Sequence, residues 1–248
     1  MPQGFGRLRP VLPLAAVALS LIMALPPLGS YARRDEVAQA FQFVVFAAAA
    51  PALLVLGWPA RRPRARTSLP PVLPNLRVPA ELARRPAFRA SAALLPSLAL
   101  VIMWRLPVVL AAMARDPALT ALELITLVAA GCALWAELAG PRVGRDALPR
   151  PLRATMAAVA MWSIWAIAYI TGMSTTGQAH AQTAVPDHQF AVGVMWAVPA
   201  ICYVPVIFAT MMSWLGGREE PAEGPVGLLS DPAWPDAAGR LQPPRGWR

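Results

Sequence analysis

The chain has no lysine, two cysteines and two histidines, and only 14% of its 248 residues are charged. Each scarcity excludes something. Soluble domains carry about a quarter charged residues, and a water-soluble fold cannot hide the 57% hydrophobic content found here. Cys132 and Cys202 both fall inside apolar runs, away from any CxxC or metal spacing and from the aqueous edge where disulfides form, so packing is their role. The sequence holds no Walker loop, GxSxG, HExxH or paired helical histidines for haem, and therefore no nucleophile–base constellation on which an enzyme reading can stand. The formal charge of +9 comes with 22 basic residues, all arginine. They sit beside apolar segments, with no stacking platform or recognition helix, so nucleic acid is not the expected partner.

What is present is a series of long apolar runs. Spanning about 30 Å of hydrocarbon takes about 20 residues, and suitable runs occur at 11–28, 38–58, 91–113, 117–138, 154–172 and 188–215. The expectation is an all-α, polytopic membrane helix bundle of about six transmembrane helices within residues 1–215. The first run also reads as a signal peptide, because Arg7 and Arg9 precede it and Ser30-Tyr31-Ala32 resembles a cleavage site. Its 18 residues exceed a usual signal core, which favours retention.

Arginine placement predicts orientation. Two arginines lie before residue 11, eight in 59–90, four in 139–153 and four after 215, against three in the segments on the other side. The positive-inside rule puts both termini and the long loops in the cytoplasm of an inner membrane. Loop 59–90 holds seven prolines and eight arginines against one acid, Glu81, and is expected to lie on anionic lipid. The tail 216–248 is expected to be disordered, being rich in proline and acids and poor in aliphatics after Leu229.

Polar residues at membrane depth are expensive and need partners. Arg105 lies eight residues before the outer end of the third run and Glu123 seven after Asp116 on the fourth, so both are expected about 10–12 Å below the outer surface. That matching depth predicts a buried ion pair. Gln39, Gln42, Asp116, Thr120 and Asp187 are expected to line a polar pocket open to the outside. His180 and His188, with Met195 at a similar level, are the candidate ligands for a soft metal such as copper.

Four segments carry a resemblance: APALLVLGWP at 50–59, WRLP at 104–107, DPALTALELITLVAAGCALW at 116–135 and DHQFAVGVMWAVP at 187–199. In order and placement they resemble the CtaG-like cytochrome c oxidase assembly factors, over roughly residues 7–215. The resemblance implies a membrane protein serving maturation of a haem–copper terminal oxidase, with copper as the metal handled. Members of that family carry histidines in an HMxQH-like segment, a WHxP-like turn and an HPxxHxxEH-like segment. Here those histidine positions read Gln39 and Phe43, then Arg105, then Asp116, Thr120 and Leu124, with Gln42 and Glu123 retained.

The resulting expectation is a divergent assembly or accessory factor for a terminal oxidase that scaffolds more than it ligates, with subunits of that oxidase or another respiratory complex as partners. A structural subunit of a respiratory complex and a copper protein using a different ligand set are the alternatives. A small transporter would need a continuous polar path, and the inner halves of these runs offer little beyond Glu137.

Overall fold

The computed structural model describes residues 11–57, 85–140, 148–175 and 185–216. Of the expected loop 59–90, residues 59–84 lie outside the described residues and helix begins at Pro86; the tail from 217 and His180 also lie outside them, with the lipid contact and disorder expected of loop and tail.

The described chain is a polytopic helical bundle. Its helices are α1 (Val11–Ala24), the short α2 (Leu28–Ala32), α3 (Glu36–Val44), α4 (Ala50–Gly57), α5 (Pro86–Trp104), α6 (Pro107–Met113), α7 (Ala118–Leu138), α8 (Arg150–Thr175) and α9 (Val185–Leu215). A π-helical turn, Val45–Ala49, joins α3 to α4. Five segments are long and apolar enough to cross a membrane: Glu36–Gly57, Pro86–Trp104, Ala118–Leu138, Arg150–Ile170 and Gln189–Leu215.

Proline explains where the helices depart from the expected runs. The first run stops at Ala24, because Pro26 and Pro27 cannot donate to the preceding turn. At 14 residues α1 is about 21 Å long, short of the hydrocarbon thickness. The third run, expected continuous over 91–113, is two helices. Pro107 supplies no N–H and pushes Leu106 into an extended conformation (φ −66°, ψ 136°), so α5 ends at Trp104 and α6 restarts at Pro107. Pro51 has a gentler effect. The π turn lets the Ala50 N–H reach Val45 O just before the proline, widening the helix where the ring would otherwise crowd the carbonyl of Ala47.

The segment Glu36–Gly57 is the centre of the bundle. Two-thirds of its apolar window is buried (67%), against 22–39% for the other four spans, which keep broad faces for lipid. Around it pack α1, α7 and α9, with α5 against α7 and α8, and α8 along α9. Small residues allow the close approaches. Gly131 of α7 lies against the Pro51 ring and Ala47 O, and Gly57 of α4 lies against Leu12 and Pro13 of α1. Trp135 of α7 stacks on Tyr203 of α9 with centroids 5.2 Å apart, and both are almost fully buried.

Arginines tie the helices together at one end. Arg89 of α5 donates to Glu137 Oε2 of α7 at 2.6 Å, Arg150 of α8 to Ser213 O of α9 at 3.3 Å, and Arg153 to Gly140 O at 3.4 Å. Two of these bonds satisfy carbonyls at or just past helix C-termini, where a cation also complements the helix dipole. This basic end is opposite the end that carries the candidate site.

Candidate functional site

The break after Trp104 decides where Arg105 goes. Trp104 is anchored to α7 by its indole, which donates from Nε1 to Thr126 Oγ1 at 3.0 Å. The chain leaves α5 at the next residue, and the Arg105 side chain enters the bundle, where the residue is only 9% exposed. Its guanidinium carbon stands 4.1 Å from the centroid of the Phe43 ring of α3, a cation–π geometry. Its Nη2 donates to Met195 Sδ of α9 at 3.7 Å. Glu123 of α7 and Glu36 of α3 are the acids whose charge it feels. By contact, Arg105 thus joins the end of α5 to α3 and α9.

Arg105 and Glu123 share this cluster without a direct bridge. Glu123 is 3% exposed and couples to Arg105 through space, but no N···O contact of 4.0 Å or less joins them. The guanidinium is turned to the phenylalanine face and the thioether instead, and its Nε has no hydrogen-bond partner.

The other expected pocket residues divide. Gln42 is buried and donates from Nε2 to Met23 O of α1 at 2.6 Å, so it ties the end of α1 to α3. Thr120 is 3% exposed on the same face of α7 as Glu123, one turn away, and its hydroxyl has no partner. Gln39 is half-buried. Asp116 does not join Thr120 and Glu123: it precedes α7, is exposed, and caps the turn by accepting from Ala118 N at 2.9 Å. Asp187 and His188 fall in the first turn of α9, but their side chains lie outside the described residues.

Two features were not legible as site residues in the sequence. Glu36 follows Asp35, which caps α3 by accepting from Ala38 N at 2.7 Å, and the pair reads simply as a helix start. The second is an aromatic ridge: Trp165 of α8 stacks on Trp196 of α9 at 4.9 Å and 8°, and donates from Nε1 to Trp196 O at 3.0 Å. The available signal was tryptophan well inside a span, away from the interfacial belts that favour it.

Copper, which the resemblance implies, is tested by these donors. Phe43 and Leu124 offer only carbon, Arg105 brings a permanent positive charge, and the Met195 sulfur already accepts from that guanidinium. Among the described residues no group of three or more His, Cys, Asp or Glu side chains is placed to hold a metal ion. Copper prefers imidazole and sulfur donors, and this set does not fit it.

Fold and site together define a multi-pass membrane bundle in which buried Arg105 and Glu123 lie beside the central helix. A family model described as cytochrome c oxidase caa3 assembly factor matches residues 3–216, and the chain belongs to that family. It is therefore an integral membrane protein of cytochrome c oxidase assembly, associated with components of that oxidase. No curated protein and no solved structure matches it.

Proposed function

We propose that the chain serves oxidase assembly as a non-catalytic membrane scaffold that binds copper weakly or not at all. The observation that carries this reading is the buried guanidinium of Arg105, seated between Phe43 and Met195 where a metal-handling relative would present a histidine. A cation fixed there repels a second cation and engages the one soft donor described nearby. The family membership supplies the pathway; the geometry supports contact, not metal transfer, as the contribution of this chain.

In this reading the basic end faces the cytoplasm, with both termini and loop 59–90 on that side and the loop on anionic headgroups. The site then opens toward the outer face of the inner membrane.

The test is gentle purification of the tagged full chain, followed by elemental analysis and identification of co-purifying membrane subunits. The expected result is oxidase components in substoichiometric amounts and copper far below one atom per chain. Near one copper per chain, lost on changing His180 or His188, would show a different ligand set at work. Stoichiometric recovery with a mature respiratory complex would make the chain a structural subunit.

A further inference from the structure

Both side chains that hold the Arg105 guanidinium by contact attract cations. The Phe43 ring presents the negative face of its quadrupole. Met195 presents a polarizable thioether sulfur. The buried Glu123 of α7 adds an acid beside them without touching the guanidinium. None of these belongs to α5, so the lining exists independently of the residue that fills it.

The manner of holding is equally telling. An arginine whose purpose is to bridge a carboxylate does so through two parallel N–H···O bonds. Arg105 forms no such fork with Glu123, and its Nε makes no hydrogen bond at all. It is held by a π face, a sulfur and through-space charge, which are the means by which a cage retains a cation of no fixed orientation.

We propose that the cluster is a cation cage built by Phe43 and Met195 with the buried Glu123 alongside, and that Arg105 occupies it as a tethered ligand which keeps free cations out. This rests on the scaffold reading and deepens it: the chain completes its own site and needs no metal to hold these segments together. Removing the tethered group should leave a cavity suited to a small planar cation, with free guanidinium as the matching probe.

The test uses the purified full chain in detergent. Arg105→Ala should lower the melting midpoint by several degrees, and guanidinium chloride at low, non-denaturing concentration should restore it saturably. Sodium chloride at equal ionic strength should not. The wild type should respond to neither, and adding Phe43→Leu or Glu123→Gln to Arg105→Ala should abolish the rescue. An Arg105→Ala protein that melts like the wild type, or that guanidinium stabilises no more than sodium does, overturns the proposal.

Arg105→Lys and Arg105→Gln keep the question decidable if Arg105→Ala does not accumulate. A tethered ammonium still fills the cage, so the lysine variant should accumulate in membranes several-fold better than the neutral glutamine variant. Equal accumulation of the two overturns the proposal. Failure of the scaffold reading is detected separately, by copper content and co-purifying subunits of the wild type.

Discussion

Replacing Gly131 by alanine should loosen the contact that presses α7 onto the central helix. A Cβ at this position would stand 2.5 Å from Pro51 Cγ, 2.8 Å from Pro51 Cβ and 3.3 Å from Ala47 O. Carbon atoms rest at about 3.5–4.0 Å, so the shortfall against the proline ring is roughly 1 Å. That ring cannot rotate away as a flexible chain would, and the adjoining π turn fixes its position. The strain therefore passes into a displacement of α7 itself. Overpacking of this kind costs about 1–3 kcal/mol, which for a chain of this size corresponds to roughly 2–12 °C in melting midpoint on the scale of soluble domains. Because α7 carries Glu123, the same shift should carry that carboxylate away from Arg105. The assay is the melting midpoint in detergent for Gly131→Ala, Pro51→Ala and the double variant. The double variant should recover part of the loss, since it removes Pro51 Cγ, the nearest atom, and frees the remaining Cβ from the rigid ring. A Gly131→Ala protein as stable as the wild type, or a double variant no better than Gly131→Ala alone, would refute the argument.

Three further outcomes are expected. Arg105→Leu and Glu123→Leu should each reduce folded yield, because each strands a buried charge. The double change should recover part of it, with a coupling of about 1–2 kcal/mol, below the 3–5 kcal/mol that losing one partner of a direct buried pair costs; a coupling near zero would show that the two charges ignore each other. Topology reporters fused at residue 75 and at the C-terminus should read cytoplasmic and one at residue 180 external, and reversal at either of the first two positions would overturn the orientation. Arg89→Ala should cost only about 1 kcal/mol of stability or less, seen as a small fall in midpoint, because both partners of the Arg89–Glu137 pair keep a fifth or more of their side-chain surface exposed (28% and 20%); a loss as large as that of Arg105→Leu would be inconsistent with this account.

Lipid is the solvent for most of this chain, and that made the spans readable from composition. Five of the expected runs reappear as helices apolar and long enough to cross a membrane, because each must satisfy its own backbone and does so without reference to its neighbours. The proline effects were half legible. Whether a membrane proline bends a helix or ends it depends on what satisfies the freed carbonyls. Pro199 and Pro205 remain inside α9, whereas Pro107 starts a new helix.

The sequence by itself determined the class of protein and the replacement of the expected histidine positions, and gave an expected depth for Arg105 and Glu123, since hydropathy, helical rise and residue identity are local properties. Only the tertiary structure decided what Arg105 touches. Depth is one coordinate, and the direction of a side chain around the helix axis depends on where α5 breaks and which helix lies beside it. Equal depth made Glu123 the obvious partner for Arg105, yet the break at Leu106 turns the guanidinium to Phe43 and Met195, residues 62 positions earlier and 90 later in the chain. Centrality was decided in the same way. Five segments of similar hydropathy are equivalent to lipid, and only packing makes Glu36–Gly57 the most buried, with α1, α7 and α9 against it through residues such as Gly57 and Gly131.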